Sequence, residues 1–409
     1  MMNLDYGIRA YERYVGKETI RRIEAKARPL RDMHILHVNS TYYGGGVSQL
    51  LASLTLLMNN LGIRTGWRVV HGPPDYFNVT KRFHNALQGA DISMTDQKKA
   101  IYEQVVHENA IRNHLNHDMI FVHDPQPLPL ITHYRKKCPW VWRCHIDLTT
   151  PNPDVWNYFV PFVEQYDAVI LSCSEYRQNL VTPQVFFTPA LDPFSIVNRE
   201  LPESAIDERL ETYDIPTDLP LVVQISRFDR WKDPEGVIQA FEKAQKEEEC
   251  TLVLVGNVAT DDPEGAEVYR SLLSHRSERV IILSVQDGSL VNALQRRAAV
   301  VLQKSLREGF GMTVSEAMWK GAAVIGGNAV GIRYQIQDGV NGFLVSSVDE
   351  AAERIVELLR DPDLRERLGQ AAHETVRERF LFTRTIEHYL DLIGAFEPDF
   401  RLREAGRST

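Results

Sequence analysis

Short apolar runs that stop in polar residues recur along this chain, and they restrict its fold more than any other feature. In the first half they are "HILHVNS" (34–40), "TGWRVVHG" (65–72), "MIFVHDPQP" (119–127), "WVWRCHIDL" (140–148) and "DAVILSCSEY" (167–176). In the second half they are "LVVQISRF" (221–228), "CTLVLVGN" (250–257), "RVIILSV" (279–285), "AVVLQKS" (299–305) and "AAVIGGN" (322–328). Each is rich in β-branched residues and too short for a core helix, and helical stretches lie between several of them. The pattern predicts strands buried on both faces, that is, parallel sheets wound with helices on each side.

The chain has 409 residues, too many for one ordinary core and suited to two α/β domains. Between the two sets of strands, "FFTPALDPFSIVNRELPES" and "YDIPTDLP" are rich in proline and polar residues. The boundary is therefore expected near 195–218, with one Rossmann-like domain over 1–213 and a second over 214–379. Apolar spacing at Tyr11, Tyr14, Val15, Ile20, Ile23 and Ala27 predicts a helix within 4–30, and the tail from Asp349 is helical and amphipathic. Two such domains are expected to face each other across a cleft, with ligands beyond the carboxyl ends of the strands.

Composition excludes several functions. The net charge of -9 argues against non-specific nucleic-acid binding, which needs a basic face. Cys138, Cys144, Cys173 and Cys250 form no C-x-x-C pair and lack zinc-ligand spacing, so free thiols in a reducing compartment are expected. The N-terminal stretch lacks the apolar core and cleavage site of a signal peptide. No apolar run approaches the roughly 18–20 residues that cross a membrane. A cytoplasmic protein without nucleic-acid or membrane partners is expected.

The polar residues that end the strands are the candidates for chemistry. "STYYGGGVSQL" (40–50) is a strand, loop and helix with Gly44, Gly45 and Gly46 in a row. It is either a plain turn or a close backbone approach to an anion at a helix N-terminus. "ISRFDRWKD" (225–233) places Arg227 and Lys232 in one loop after a strand, as a diphosphate clamp or as solvated charges. "SLREGFGMTVSEAMWKG" (305–321) frames a glycine turn and a helix start with Glu308 and Glu316. Glu308 sits where it can accept from sugar hydroxyls, and Glu316 where it can hold the two hydroxyls of a ribose; the alternative is a helix with an acidic start favoured by its dipole. His145 and Asp147 end another strand, and His123 and Asp124 precede "PQP"; each is functional or structural. "PPDYFNVTKRFHNALQG" (73–89) gathers Asn78, Thr80, Lys81, His84, Asn85 and Gln88, as a sugar surface or a solvated loop. There is no P-loop, Ser-His-Asp order or His-Glu-x-x-His, and no metal site is indicated.

Together these residues resemble the retaining GT-B glycosyltransferases that include sucrose and glycogen synthases. Glu308 and Glu316 match that family's E-x7-E motif, Arg227 and Lys232 its diphosphate pair, and Gly44–Gly46 its glycine loop. A closer resemblance, carried by "HVNSTYYGGGVSQLL", "FNVTKRFHNALQG", "VHDPQP", "WRCHIDL", "DDPEG" and "REGFGMTVSEAMWKG", is to the trehalose glycosyltransferring synthases. The resemblance implies transfer of glucose from a nucleoside-diphosphate glucose to free glucose, giving trehalose and NDP. It implies that Arg227 and Lys232 neutralise the diphosphate, with Gly45 and Gly46 near the phosphate. Glu316 would hold the ribose and Glu308 the donor hydroxyls, with His145 beside the hexose. Gly309, Phe310, Gly311, Met312 and Thr313 would line the donor site, and Val285 and Leu306 the base. Asn78, His84, Asn85, Gln88, Asp124 and Asp147 would line the sugar-acceptor side.

The same resemblance implies no metal or other cofactor, since the cationic side chains take that role. A final helix (380–409) would return to the first domain. No carboxylate nucleophile is evident, so reaction on one face of the sugar is expected, the departing phosphate deprotonating the acceptor. Symmetric homodimers being common, a dimer is expected. Retaining trehalose phosphorylases share most of these segments and are the alternative; a GT-B sugar-nucleotide epimerase and a non-catalytic nucleotide-sugar sensor are further ones.

Overall fold

The structure, a computed structural model, describes residues 6–43, 45–256 and 264–407, with side chains described as far as Phe396. Gly44 and the "DDP" of "DDPEG" (261–263) lie outside the described residues. The chain divides into two compact units, residues 1–189 with 382–409, and residues 190–381.

The first unit holds a six-stranded parallel sheet of β1 (His34–Asn39), β2 (Arg64–Val69), β3 (Met119–His123), β4 (Trp140–Arg143), β5 (Ala168–Leu171) and β6 (Gln184–Phe186), in the order β2-β1-β3-β4-β5-β6. The second unit repeats the design with β7 (Leu221–Ile225), β8 (Thr251–Gly256), β9 (Val280–Ser284), β10 (Val300–Gln303), β11 (Val324–Gly327) and β12 (Phe343–Val345), ordered β12-β11-β10-β7-β8-β9. Every run quoted above forms a strand. β6 and β12, sheet edges of three residues each, are too short to stand out in the sequence.

The two-sided burial that the pattern predicts is seen in β7. Val222 points with Leu252, Leu254 and Leu302 to one face, covered by the helices Pro234–Ala244 and Val348–Arg360. Leu221, Val223 and Ile225 point with Val253 and Val255 to the other, covered by Glu203–Thr212 and Gly288–Arg297. Each fully buried side chain of this kind contributes about 1.5–3 kcal/mol.

The expected boundary at 213/214 differs from the observed one. From Ala190 on, the proline-rich stretch belongs to the second unit because Asn292 donates to the carbonyls of Ile196 (3.1 Å) and Arg199 (2.7 Å), and Arg297 pairs with Glu203 (3.0 Å) and Asp207 (2.6 Å). The last helix, Phe382–Arg407, belongs to the first unit. Its Tyr389 is fully buried against Phe121, with ring centroids 5.1 Å apart, and its Glu387 pairs with Arg22 at 2.6 Å. The N-terminal helix Glu12–Ala27 is interrupted at Gly16, whose φ of 78° suits glycine. Residues 74–87, weighed above as a possible solvated loop, are a helix with buried polar residues.

All four cysteines are free and buried. Among the described residues, no helix is long and apolar enough to cross a membrane.

Candidate active site

In an open parallel sheet, a crevice forms at the carboxyl edge where the strand order reverses. In the second unit that place is between β7 and β10. The loop after β7 carries Arg227 and Lys232, and the loop after β10 carries Glu308. Lys232 Nζ donates to Glu308 Oε2, so two residues 76 positions apart form one ion pair. Arg227 is half-buried in the same loop as Lys232.

Several bonds hold that pair in place. Leu306 N–H donates to the Trp231 carbonyl (2.8 Å), joining the two loops, and Gly331 N–H donates to the Glu308 carbonyl (3.2 Å). Ser305 Oγ donates to Glu308 Oε2 at 3.2 Å and accepts from Gln303 Nε2 at 3.0 Å. Thr313 Oγ1 in turn donates to Gln303 Oε1 at 3.1 Å. A polar chain thus runs from the first turn of the helix Met312–Trp319 to the carboxylate. A second ion pair, Lys304 with Asp233, lies beside the first and is mostly buried. Asp233 has φ 50°, ψ 50°, a left-handed conformation that Asp tolerates better than most residues, and its carboxylate caps the next helix through Gly236 N–H (3.2 Å).

Gly309, Phe310 and Gly311 form a buried turn. Gly311 has φ 85°, and a β-carbon there would lie 3.0 Å from Glu308 Cγ, so the glycine allows the close approach of the carboxylate arm. Gln335 Nε2 donates to the Phe310 carbonyl and, at 3.3 Å, to the Gly311 carbonyl. Met312 and Thr313 open the helix and are half-buried.

Glu316 is almost fully buried on that helix, and its carboxylate accepts no hydrogen bond from a described residue. Burial raises its pKa above the usual carboxylate value, with Lys320 opposing the rise. Burial also pulls Lys320 down, to about 7; its ammonium nevertheless donates to Gln295 Oε1 (2.8 Å), Asn198 Oδ1 (3.0 Å) and the Glu316 carbonyl (3.0 Å). Glu308 and Glu316 thus have different environments, one bonded to lysine and the other unbonded. Val285 follows β9 and donates to the Gly256 carbonyl at 2.8 Å. Leu306 is exposed.

In the first unit the strand order reverses between β1 and β3. After β1, Gly45 caps the helix Gly46–Asn60 with φ 120°, and Gly46 is its first residue. Asp124, next after β3, has φ 60° and accepts from His145 N–H at 2.7 Å, so these two predicted residues lie together. Asp147 instead turns back on its own loop, accepting from Thr149 N–H (2.9 Å) and Thr149 Oγ1 (2.5 Å). On the helix Pro74–Leu87 and its C-cap, Asn85 and Gln88 are buried, His84 is half-buried and Asn78 is exposed. The first two and His84 share one helical stripe.

Three histidines form a chain that sequence reasoning does not assemble. His37 Nδ1 lies 2.9 Å from His123 Nε2, and His123 Nδ1 lies 3.0 Å from His145 Nε2. Burial lowers all three; Arg143 adds to this, and His37 falls to about 3. In the unfolded chain each takes a proton near 6.5, whereas in the fold they resist. Between those values the unfolded state binds more protons, so stability falls as pH falls. Stability is therefore expected to fall as pH drops below 6.5, by on the order of 1 kcal/mol per pH unit from His37 and further in the same direction from His123, and not to change on this account above it. Denaturant titrations at pH 7.5 and below check this, and His37→Phe should make the slope shallower.

Residues 37–178 match the family model described as "Trehalose synthase, N-terminal domain", and residues 206–375 match "Glycosyl transferases group 1". Trehalose synthase of Thermococcus litoralis is 42% identical over 396 residues, which cover 94% of this chain and 96% of that one. The chain belongs to the trehalose synthase family. The family's member in Pyrococcus horikoshii is 43% identical over 395 residues, covering 94% and 95% of the two chains. Trehalose phosphorylase of Grifola frondosa is 27% identical over 429 aligned positions, covering 90% of this chain but 58% of its own. Among solved structures, sucrose-phosphate synthase of Thermosynechococcus elongatus superposes with a TM-score of 0.70 at 17% identity, over 90% of this chain and 100% of that one. Anabaena HepE, solved in complex with UDP-glucose, gives 0.68 at 19%, over 89% and 99%. These two share the GT-B fold. As a member of the trehalose synthase family, the chain is a glycosyltransferase of trehalose chemistry.

Sequence reasoning missed Lys304, Asp233, Ser305, Gln303 and Lys320 around the loops that follow β7 and β10 and the helix Met312–Trp319. Only Lys304 carried a signal, as a cation directly after a strand. Among the described residues no group of three His, Cys, Asp or Glu is placed to hold a metal ion.

Proposed function

We propose that this member of the trehalose synthase family is a retaining glucosyltransferase that joins the glucose of a nucleoside-diphosphate glucose to free D-glucose, forming trehalose and releasing NDP. The observation that carries this reading is the Lys232–Glu308 pair at the switch point of the second sheet. An ammonium there suits a diphosphate, and a carboxylate beside it suits sugar hydroxyls.

Lys232 and Glu308 bond to each other. On donor binding the diphosphate takes the ammonium, together with Arg227, and frees Glu308 to accept from the donor hydroxyls. Glu316, buried and without a hydrogen-bond donor among the described residues, takes the ribose hydroxyls. His145 contacts the transferred hexose, and the stripe with His84, Asn85 and Gln88 meets the acceptor. A nucleotide-sugar is already activated, so catalysis consists mainly of positioning and of stabilising the leaving charge. Lys232 and Arg227 supply that stabilisation without a metal ion. The leaving phosphate deprotonates the attacking hydroxyl on the face from which it departs, which preserves the α configuration.

The alternative is a retaining phosphorylase, in which phosphate occupies the place of the diphosphate. It rests on the Grifola frondosa relative, of whose length this chain spans only 58%. The discriminating assay follows NDP release from UDP-, ADP- and GDP-glucose with chelator present. Glucose-dependent release from at least one of them is the expected result. No release from any, with disaccharide formed from glucose 1-phosphate and glucose, would transfer the protein to the phosphorylases.

A further inference from the structure

Of the chain of imidazoles in the first unit, His145 alone has been given a role so far. His37 is the fourth residue of β1, His123 the last of β3, and His145 follows β4 by two positions. In parallel strands the register sets neighbours directly: His37 sits opposite Phe121 and stacks on it at 4.8 Å, and His123 sits opposite Arg143. His37 and His123 are buried, with 1% and 0% exposure, whereas His145 is only partly covered. The chain therefore leads from the interior of the sheet to a residue at its carboxyl edge.

We propose that His37 and His123 are positioning residues for His145, fixing its ring orientation and its tautomer through one continuous hydrogen-bonded chain. A neutral imidazole has one donor and one acceptor nitrogen. His123 spends both of its nitrogens on its neighbours, at 2.9 and 3.0 Å, so it must donate to one and accept from the other. Only two proton arrangements of the neutral chain satisfy both bonds, one the reverse of the other. The two arrangements give His145 opposite tautomers, and passing between them moves the proton on all three rings at once, so His145 cannot change tautomer alone and the chain holds it in one.

The backbone of His145 is held independently by the Asp124 carboxylate, at 2.7 Å. His123 and His145 also stack, with centroids 5.3 Å apart and planes 14° from parallel. The charged and titratable groups around the chain are Arg143 on β4, bonded at 2.7 Å to Tyr389 Oη on the last helix, Tyr389 itself, and Asp124. Arg143 is fully buried and works against protonation of all three rings. The arrangement matches the way outer residues fix the tautomer of a ligating histidine elsewhere. A sugar hydroxyl both donates and accepts, so a ring of fixed character admits one hydroxyl orientation where a freely exchanging ring admits two.

That His145 meets a hexose rests on the function proposed above; the tautomer lock does not. The test uses the full chain labelled with nitrogen-15 in its histidines, with His145 assigned from the His145→Gln variant. Two-bond nitrogen–proton spectra are recorded between pH 5.5 and 8. The expected wild-type result is one tautomer of His145 with no titration. In His123→Phe, or in His37→Phe should the first not fold, both tautomers appear and His145 titrates. The same variants lose about tenfold in kcat/KM at pH 7.5 and gain an acid limb in the pH profile. His37→Gln, whose amide can still bond to His123, recovers part of the loss. A purely structural role would lower activity equally at every pH.

Titration or mixed tautomers of His145 in the wild type would overturn the proposal, as would variants in which the ring is unchanged. A locked ring combined with full activity of His145→Gln would overturn the sugar-facing purpose alone. NDP release by the same protein would show that the donor-side reading survives that failure.

Discussion

Lys232→Ala is expected to lower kcat by about 10²–10³-fold, the range seen when one preorganised group that stabilises developing charge is removed. Lys232 is the ammonium in contact with Glu308 at the switch point of the second sheet. Without it the diphosphate leaves with less of its charge neutralised, and the loss falls on turnover more than on KM, because the charge grows in the transition state. The pair is only partly exposed, with side-chain values of 17% and 11%, so Glu308 is left poorly compensated. Ser305 Oγ still donates to it at 3.2 Å, which limits the damage to the fold. Lys232→Arg keeps the charge and should recover part of the rate. Steady-state kinetics with the preferred NDP-glucose, beside a melting curve, make the comparison. A kcat within a factor of a few of wild type would remove Lys232 from the chemistry.

Lys304→Met is expected to lower stability by about 3–5 kcal/mol, because it leaves the Asp233 carboxylate without its cation in a largely buried place. Side-chain exposure is 8% for Lys304 and 20% for Asp233. For the second unit, residues 190–381, melting by itself, the loss corresponds to a fall in Tm of about 6–20 °C. Asp233 has three simultaneous duties: it binds Lys304, caps the helix Pro234–Ala244, and turns the backbone left-handed directly after Lys232. The variant should therefore lose activity as well as stability, through misplacement of Lys232. Asp233→Asn combined with Lys304→Met removes both charges while keeping a capping oxygen, and should be more stable than Lys304→Met alone. Calorimetric scans of the variants check the order; a Lys304→Met protein that melts with wild type would show that the pair contributes nothing.

Much of this was legible in the sequence, for a physical reason. Strands buried on both faces read as uninterrupted apolar runs, so ten of the strands could be read directly, and the polar residue that ends each run marks the carboxyl edge where ligands bind. Glu308, Lys232 and Gly311 stood out because charges and glycines beside such an edge are unusual. What could not be read were contacts between distant loops. The Lys232–Glu308 bond spans 76 residues, Lys304–Asp233 spans 71 and His37–His123 spans 86, and no local periodicity encodes them. The domain boundary was misplaced for a related reason. Proline and polar residues mark an irregular stretch, but whether it is a linker depends on what binds its carbonyls, and here Asn292 does. The edge strands β6 and β12, at three residues each, are too short to carry a pattern.

The most direct test of the central claim is proton NMR of the purified protein with D-glucose and UDP-, ADP- and GDP-glucose, with neither metal nor phosphate added. The account predicts the single anomeric signal of a symmetric α,α-linked disaccharide, growing in step with NDP. A disaccharide with an inverted anomeric centre, or no disaccharide from any of the three donors, would contradict it.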